Sequence, residues 1–457
     1  MISLRLSRNY KNEHQRVSAR TEKLLSFKFL NVPLFFVFLL SSCSPFERQG
    51  TAMPPARNPL SALVRNFLNE EDQKSEQDLS ILLGYSFDEL RMALVDTLTR
   101  DNFEKNAVVG TLPGQLLTSG DQSYSYALYV PATYQPDKSY PLIICLHGAG
   151  FSGDAYLDRW KPRLGENYIL ACPSIEGGAF WSREGETLVL STLETVTRHY
   201  HVDRNRIYLT GMSNGGIGTY LIGLNHPDLF AALIPMAAAL DEELFPLLDN
   251  ARNIPVYIIH GSQDEVMPVS IARDISTYLR NAGYPVIYRE HDRVHPLAGG
   301  HFFPREELPP LLQWLPGQTR VSMPAKVVLV RDRDHTGSSY WIRIDRISRS
   351  AGTFWPSEDD PKSIQRLKEG AFARVTAEAA GNVIRISSQR IDQLTLLLNP
   401  QLVDYRKPVK VFLNGRLVYS DPVQRDSRTL LLEARKRPDP GSLVYSEITF
   451  TMPAPIF

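Results

Sequence analysis

This sequence has few cysteines, no net charge and no internal repeats. It has 3 cysteines among 457 residues, and two of them, Cys145 and Cys172, lie in apolar runs typical of core strands. We expect buried, unreactive thiols there, with a disulfide between them as the alternative in an oxidising compartment. The 50 basic and 50 acidic side chains leave a net charge of +0, which indicates neither nucleic acid nor an anionic surface as a partner. The length, without repeats, predicts two or three domains.

The apolar run near the N-terminus is too short to cross a membrane. Residues 29–40 are nearly all apolar, follow a basic region and precede Leu40-Ser41-Ser42-Cys43. A membrane-spanning helix needs about 20 apolar residues, whereas a basic region, a short apolar core and small residues are typical of a secretory signal. The last four residues resemble the lipobox of bacterial lipoproteins. This resemblance implies lipid attachment at Cys43 and an exported protein, anchored to a bacterial membrane and facing the periplasm or the cell surface. An ordinary cleaved signal or a short anchor is the alternative.

Changes in composition and periodicity predict five consecutive segments. They are a signal peptide at 1–42, a Pro-rich tether at 43–57, a helical segment at 58–110, an α/β domain at 111–319 and a β-rich domain at 320–457. In the helical segment, the spacing of apolar residues from Leu60 onwards and the capping box Ser86–Glu89 predict two helices that pack against the α/β domain.

The α/β domain has continuous apolar strands that alternate with helix-length segments. Such strands, of which Leu142–Leu146 and Val256–Ile259 are examples, predict a doubly wound, mostly parallel sheet covered on both faces. Short alternating strands follow after residue 320, and Asn414-Gly415 between two of them is typical of a hairpin turn. The predicted fold is therefore α/β, with a C-terminal domain that is all-β and sandwich-like.

A serine between two glycines lies where one of the apolar strands ends. The run Ile207–Thr210 is β-branched and aromatic, Gly211-Met-Ser213-Asn-Gly215 follows it, and a helix-like stretch comes next. Gly-x-Ser-x-Gly between a strand and a helix is the pattern of a nucleophile elbow, which exposes one hydroxyl above a sheet. Glycine is needed on both sides because a Cβ would clash in the crowded turn. We therefore predict that Ser213 is a nucleophile.

An elbow serine needs a base, and the base needs an acid that orients it. Asp264 follows the strand Val256–Ile259 on a glycine-containing loop, in the chain order expected for the acid. Three histidines follow the next strand. We predict His301 as the base because it follows two glycines on a loop, and His295 is the alternative. His291 is nearest the strand and is expected to be structural.

The oxyanion that forms during acyl transfer needs backbone donors, worth on the order of 3 kcal/mol each. One expected donor is the N–H of Asn214, directly after the nucleophile. The other comes from the loop 147–150, which follows an early strand. We predict Ala149 as that donor, with Gly150 as the alternative. His147 is expected to orient the loop rather than to transfer protons.

The spacing of the histidines gives no reason to expect a metal. His291, His295 and His301 lack the helical i, i+4 pairing of zinc hydrolases, so we expect neither a metal nor another cofactor. His260 is expected to be structural. Trp181, on a loop after a strand, is expected either to line a substrate pocket or to lie in the core.

These motifs together resemble the α/β-hydrolase superfamily. The similarity rests on His147-Gly-Ala-Gly, Asp203–Gly216 and His260-Gly-Ser-Gln-Asp264, and it covers residues 124–315. Within the superfamily the chain is most similar to the secreted esterase branch, which includes predicted prolyl-oligopeptidase-like peptidases, poly(3-hydroxybutyrate) depolymerases and feruloyl or acetyl-xylan esterases. The resemblance implies an α/β-hydrolase fold and a serine hydrolase. The expected substrate is a small-molecule or polymer-linked carboxylic ester, cleaved through an acyl-enzyme.

Two other functions are consistent with the same residues. A serine peptidase uses the same triad, because ester and amide hydrolysis both pass through a tetrahedral oxyanion. A catalytically silent hydrolase fold that serves as a surface binding protein is the third possibility. For the C-terminal domain we expect a packing or spacer role, with carbohydrate or polymer binding as the alternative.

Overall fold

The computed structural model describes residues 59–69, 73–100, 103, 107–119 and 122–452. The expected signal peptide at 1–42, the lipidation site Cys43 and the tether at 43–57 lie outside the described residues. In the part of the chain that is described, no helix has both the length and the apolar character that a membrane crossing needs.

Three helices, rather than the two expected, begin the described chain. They are α1 (Pro59–Asn69), α2 (Gln73–Leu82) and α3 (Phe87–Arg100). The capping box is present, since the N–H of Ser86 donates to the Glu89 carboxylate at 2.9 Å. The apolar faces of these helices share a core with Leu430 and Leu431 of the helix Ser427–Lys436. The expected packing against the α/β domain is therefore wrong, because the apolar partner comes from the far end of the chain.

A mostly parallel sheet of eight strands forms the central part, as predicted. Its strands in chain order are β1 (Gly110–Ser119), β2 (Gln122–Val130), β3 (Tyr140–Leu146), β4 (Ile169–Ser174), β5 (Val202–Met212), β6 (Ala232–Met236), β7 (Val256–Gly261) and β8 (Val286–His291). Their order in the sheet is β1-β2-β4-β3-β5-β6-β7-β8. β2 is antiparallel to both neighbours, and from β4 onwards in this order every pair is parallel. Every residue of β7 is buried, which shows that both faces of the sheet are covered.

Helices follow five of these strands, and each parallel strand ends at the carboxyl edge of the sheet. They are α4 (Gly153–Leu164), α5 (Arg183–His199), α6 (Asn214–Asn225), α7 (Val269–Asn281) and α8 (Leu308–Trp314). Ser213 stands alone between β5 and α6. Loops at the carboxyl edge of such a sheet carry the functional groups of doubly wound folds.

The two internal cysteines face the core of this sheet. Cys145 on β3 and Cys172 on β4 are both buried and free. Burial, followed by the neighbouring Cys145 thiol, raises the pKa of Cys172 well above its usual value. Both thiols are buried and free, as expected, and a thiol held protonated like that of Cys172 is a poor nucleophile.

The chain after residue 320 forms two further sheets that share one core. Their strands are β9 (Lys326–Arg331), β10 (Gly337–Ser339), β11 (Ile342–Ile347), β12 (Ala373–Ala380), β13 (Val383–Gln389), β14 (Ile391–Leu398), β15 (Val409–Leu413), β16 (Arg416–Asp421) and β17 (Ser446–Thr451). The sheets have the orders β10-β11-β14-β17 and β16-β15-β13-β12-β9. Val327, Trp341 and Leu394 belong to the core between them.

This C-terminal part matches the expected sandwich but also contains helices. Asn414 and Gly415 have φ values of 48° and 81° and join β15 to β16, as a two-residue hairpin turn requires. Two helices, α9 (Ser363–Lys368) and α10 (Ser427–Lys436), were not expected in an all-β domain. α10 is the helix that covers α1 and α3.

Buried polar contacts join the central sheet to the C-terminal part. The side-chain amide of Asn250 donates to Leu224 O at 2.8 Å and to Val330 O at 2.9 Å, and its Oδ1 accepts from the Val330 N–H at 2.6 Å. The hydroxyl of Tyr340 donates to Pro227 O at 3.1 Å. Such bonds are costly to break because each partner would remain buried without water.

Candidate active site

Ser213 is held in a strained backbone conformation between β5 and α6. Its φ of 58° and ψ of −123° lie in a region that non-glycine residues rarely adopt. The two flanking glycines make the turn possible. A Cβ on Gly215 would lie 2.1 Å from Leu146 O, and one on Gly211 would lie 2.2 Å from Gly215 O. The predicted elbow conformation is therefore present, with the side chain of Ser213 at the carboxyl edge of the sheet.

Asp264 lies on the loop after β7, and backbone N–H groups fix one of its carboxylate oxygens. Oδ1 accepts hydrogen bonds from the N–H of Val266 at 2.9 Å and of Met267 at 2.8 Å. Oδ2 lies 2.8 Å from Nδ1 of His301. The Asp264 side chain is fully buried, whereas 12% of the His301 side chain is exposed. The acid is therefore oriented toward His301.

The environment of Asp264 keeps its carboxyl group ionised. Burial alone would raise the pKa of this carboxyl, but hydrogen bonds from His260 and His301 outweigh burial and hold the pKa below its usual range. A carboxylate at this position keeps the proton of His301 on Nδ1. The other ring nitrogen, Nε2, is then free to accept a proton.

The structure brings His301 to Asp264, and it places the other two histidines elsewhere. His295 is exposed, accepts a hydrogen bond from the Leu297 N–H at 3.2 Å, and has its ring 5.5 Å from that of Phe302. His291 is buried, with Nε2 3.1 Å from Phe302 O. Sequence periodicity could not separate His295 from His301 because both lie on the loop after β8.

Gly299 and Gly300 explain how the loop after β8 reaches Asp264. The N–H of Gly300 donates to Gln263 O at 3.0 Å. A Cβ on Gly300 would lie 2.4 Å from the carbonyl carbon of Gln263, and Gly299 has a φ of 56°. The close approach of the two loops therefore requires glycine, and it positions the next residue, His301, against the acid.

The loop after β3 lies beside the nucleophile. A Cβ on Gly148 would be 3.3 Å from Ser213 Cβ, so the backbone of this loop nearly touches the serine. Ala149, the expected donor, is half-buried, and Gly150 is exposed with a φ of 78°. Asn214 is the first residue of α6, so its N–H has no partner within the helix.

Side chains around this loop hold it in place. His147 Nε2 accepts from the Ile175 N–H at 3.2 Å, and its Nδ1–H donates to Gly148 O at 2.9 Å. Burial lowers the pKa of His147, which suits this neutral arrangement. The side-chain amide of Asn214 donates to Gly177 O at 2.7 Å, a contact that the sequence did not indicate. The segment 175–178 is therefore part of the wall around Ser213.

Two further residues near the site are Trp181, for which the sequence left a pocket or a core position open, and His260. Trp181 is half-buried, and the adjacent Phe180 is fully buried with its ring 5.1 Å from that of His147. His260 was expected to be structural, yet its Nε2 lies 3.3 Å from Asp264 Oδ2. The spacing of four residues between His260 and Asp264, across a turn, is the signal that could have indicated this contact.

Comparison with known proteins identifies one family and several similar proteins. A model of the prolyl oligopeptidase family matches residues 189–250, which include Ser213. A bifunctional acetylxylan esterase/xylanase from Neocallimastix patriciarum is 24% identical over 147 residues, 31% of this chain and 21% of the relative. Dipeptidyl-peptidase 5 from Porphyromonas gingivalis is 26% identical over 168 residues, 33% of this chain and 23% of the relative.

The matched segments thus span less than a quarter of the length of both curated relatives. Among solved structures, that of a thermostable esterase is 26% identical with a TM-score of 0.41, covering 46% of this chain and 63% of the other.

Proposed function

We propose that the chain is a serine hydrolase of the α/β-hydrolase superfamily and that it cleaves carboxylic esters. One observation carries the proposal: His301 Nδ1 and Asp264 Oδ2 form a hydrogen bond of 2.8 Å at the sheet edge that holds the strained Ser213. A base with an ionised orienter and a serine on an elbow are the parts that acyl transfer requires.

The reaction follows from these positions. His301 Nε2 takes the hydroxyl proton of Ser213 while the serine oxygen attacks the ester carbonyl. His301 then returns the proton to the leaving alcohol, and an acyl-enzyme remains. Water, deprotonated by the same nitrogen, attacks the acyl group and releases the acid. Asp264 stabilises the imidazolium that forms in each half of the reaction.

The main-chain N–H groups of Asn214 and Ala149 stabilise the oxyanion in this proposal. Both belong to segments that border Ser213, and the N-terminus of α6 adds the positive end of a helix dipole. Each donor contributes on the order of 3 kcal/mol to the transition state. The side chain of Asn214 has a different role, since it is bonded to Gly177 O.

We further propose that the enzyme is exported and carries lipid at Cys43. Leu40-Ser41-Ser42-Cys43 after a basic and apolar segment supports this location. Mass spectrometry of the mature N-terminus tests the proposal. The expected result is a diacylglyceryl-modified Cys43, and an unmodified residue at another position would contradict it.

A peptidase is the second candidate, favoured by the match of residues 189–250 to the prolyl oligopeptidase family. Short acyl esters, feruloylated sugars and peptide amides compared at equal concentration distinguish the two, with Ser213→Ala as the control. We expect the largest kcat/KM on an ester and no turnover by the variant. Faster cleavage of a peptide amide would favour the peptidase, and no turnover of any substrate would favour a silent binding protein.

A further inference from the structure

His260 is a fully buried histidine in contact with the carboxylate that orients His301. Its Nε2 lies 2.9 Å from Met267 O and 3.3 Å from Asp264 Oδ2, and its side chain is 0% exposed. Both neighbouring atoms are hydrogen-bond acceptors, so Nε2 must carry a proton. Nδ1 is buried and has no hydrogen-bond partner among the described residues. A second proton there would lack an acceptor, so His260 is the neutral Nε2–H tautomer.

This proton lies between Met267 O, at 2.9 Å from Nε2, and Asp264 Oδ2, at 3.3 Å, and so adds a further donor beside the carboxylate. The N–H groups of Val266 and Met267 hold Oδ1, and His301 and His260 approach Oδ2 from two sides. The Oδ1 bonds alone leave the carboxylate free to tilt about that oxygen. A second donor at Oδ2 removes this freedom, because any tilt away from His301 would also lengthen the contact with His260.

We propose that His260 is a positioning residue for the hydrolytic reaction, which holds Asp264 Oδ2 where it receives the Nδ1–H of His301. The proposal rests on the proposed function, since it concerns the same Ser213, Asp264 and His301. His260 acts through Asp264 and His301, and its own contacts are with protein atoms. If Asp264 is displaced, His301 is held less often where it can accept the proton of Ser213. Loss of the His260 contact should therefore lower kcat rather than weaken substrate binding.

The contact also shares the negative charge of Oδ2 between two donors. When His260 no longer donates, more of that charge acts on His301 and favours the protonated form of the base. The acid limb of the kcat/KM profile, which reports the base in the free enzyme, then moves to higher pH.

Other charged groups near this cluster stay in place when His260 is changed. Glu290 lies opposite His260 on β8 and is paired with Arg273 at 2.6 Å and with the Tyr288 hydroxyl at 2.7 Å. The remaining titratable neighbours on the same strand and the adjoining loops are Arg289, which is paired with Glu307 at 2.8 Å, and His291, Asp292, Arg293, His295 and Glu265. None of these is altered in the variants below, so a shift of the limb reports the lost contact.

Two amide variants separate the hydrogen bond from packing. In His260→Gln the amide nitrogen can occupy the position of Nε2, whereas in His260→Asn it lies near the position of Nδ1 and cannot reach Asp264. We expect H260N to lower kcat on the order of tenfold or more, with little change in KM, and to move the acid limb to higher pH. We expect H260Q to keep most of the wild-type kcat and its pH profile.

His335→Gln is the matched control for lost stability. His335 is also a buried histidine, but it contacts Glu186 and Asp332, away from the triad. All variants are compared by thermal unfolding and by the pH dependence of ester hydrolysis in the full chain. H335Q should lower the Tm without moving the acid limb.

Three results would overturn the inference. If H260N has the wild-type kcat and its acid limb lies at the same pH as in the wild type, Asp264 does not need the contact with His260. Equal losses in H260Q and H260N would assign His260 to packing alone. A shift of the limb in H335Q as large as in H260N would make the effect non-specific. An inactive wild-type protein would instead overturn the proposed function, and the inference with it.

Discussion

Asp264 shows how burial and hydrogen bonding set the chemistry of one side chain. Its carboxylate is buried, yet the donors around it hold its pKa below the usual range. At neutral pH the group is therefore a fixed negative charge beside His301. Such a charge selects the tautomer in which Nε2 is free to accept the proton of Ser213.

Replacing Asp264 with asparagine tests this role. An amide in the same position can donate to His301 Nδ1, which favours the tautomer with the proton on Nε2, where it blocks proton transfer. We expect Asp264→Asn to lower kcat on the order of 10⁴-fold while the protein stays folded. Steady-state kinetics on a short acyl ester and circular dichroism measure the two effects.

Glu265→Gln is the control, because Glu265 is the exposed neighbour of Asp264. It should retain wild-type kcat. A D264N enzyme that keeps more than a tenth of the wild-type rate would rule out Asp264 as the orienter.

The sequence indicated some of these residues and could not indicate others. Ser213 and Asp264 were predicted because each has a fixed place relative to the end of an apolar strand. The sequence favoured His301 over His295 as the base. Which of them reaches Asp264 depends on how the loop after β8 packs against Gln263, and this is a tertiary contact that a local pattern does not show. The contact of His260 with Asp264 depends on the same turn geometry.

The elbow between β5 and α6 shows why its sequence tolerates so little change. The positive φ of Ser213 turns the chain sharply, and the turn brings Gly215 against the end of β3. The strain is stabilised by residues 207–211 of β5 and by α6, all of which are buried. The N–H of Ser213 also donates to Met236 O at 3.0 Å, which fixes the turn to the neighbouring strand β6.

A methyl group at Gly215 would collide with the backbone. Its Cβ would lie 2.1 Å from Leu146 O, and neither group can move without disturbing β3 or α6. We expect Gly215→Ala to lower the free energy of unfolding by about 1–3 kcal/mol and to abolish ester hydrolysis. Chemical denaturation and kinetics provide the measurements.

Gly317 offers a matched site for the same change. A Cβ there would meet nothing within 4 Å, and Gly317→Ala should alter stability by less than about 0.5 kcal/mol. If G215A is as stable and as active as G317A, the close packing of the elbow is not essential.

Local sequence patterns predicted most of the helices and strands. The features that they did not predict depend on long-range packing. The parallel strands and the Asn414-Gly415 hairpin follow from apolar runs and turn residues. The sequence did not predict α10, because this short helix and its N-cap, Asp426, lie in a region where alternating strands were expected. Nothing local indicates that α10 covers α1 and α3, since the contact joins opposite ends of the chain.

A buried ionic network joins the central sheet to the C-terminal part of the molecule. His335 lies between Asp332 and Glu186 of α5, with the Glu186 contact at 3.0 Å, and its Nε2 is 3.1 Å from the Asn225 amide. Burial alone would lower the pKa of His335, but the hydrogen bonds and charges of Asp332 and Glu186 outweigh it and raise the pKa to about 9. Protonated His335 therefore helps to hold the two parts together.

Stability should consequently fall on the alkaline side. A histidine with a pKa near 6.5 when unfolded and about 9 when folded stabilises the protein fully below pH 6.5, and this contribution is lost as the pH rises through 9. The expected loss is on the order of 3 kcal/mol. The free energy of unfolding, measured from pH 6 to pH 10, should decline in the wild type.

His335→Gln lacks the titrating group, so it should be less stable at pH 6 and should not show this decline. The gap between the two proteins should close toward pH 10. A parallel decline in both would show that another group is responsible for the loss.

The central claim is that Ser213 is the nucleophile, and labelling by a fluorophosphonate tests it most directly. The probe forms a covalent bond only with a serine that a neighbouring base activates. Peptide mapping of the labelled wild-type protein should place the label on Ser213, and Ser213→Ala should remain unlabelled and inactive. Ester hydrolysis by a protein that carries no label on Ser213, or that survives S213A, would contradict the account.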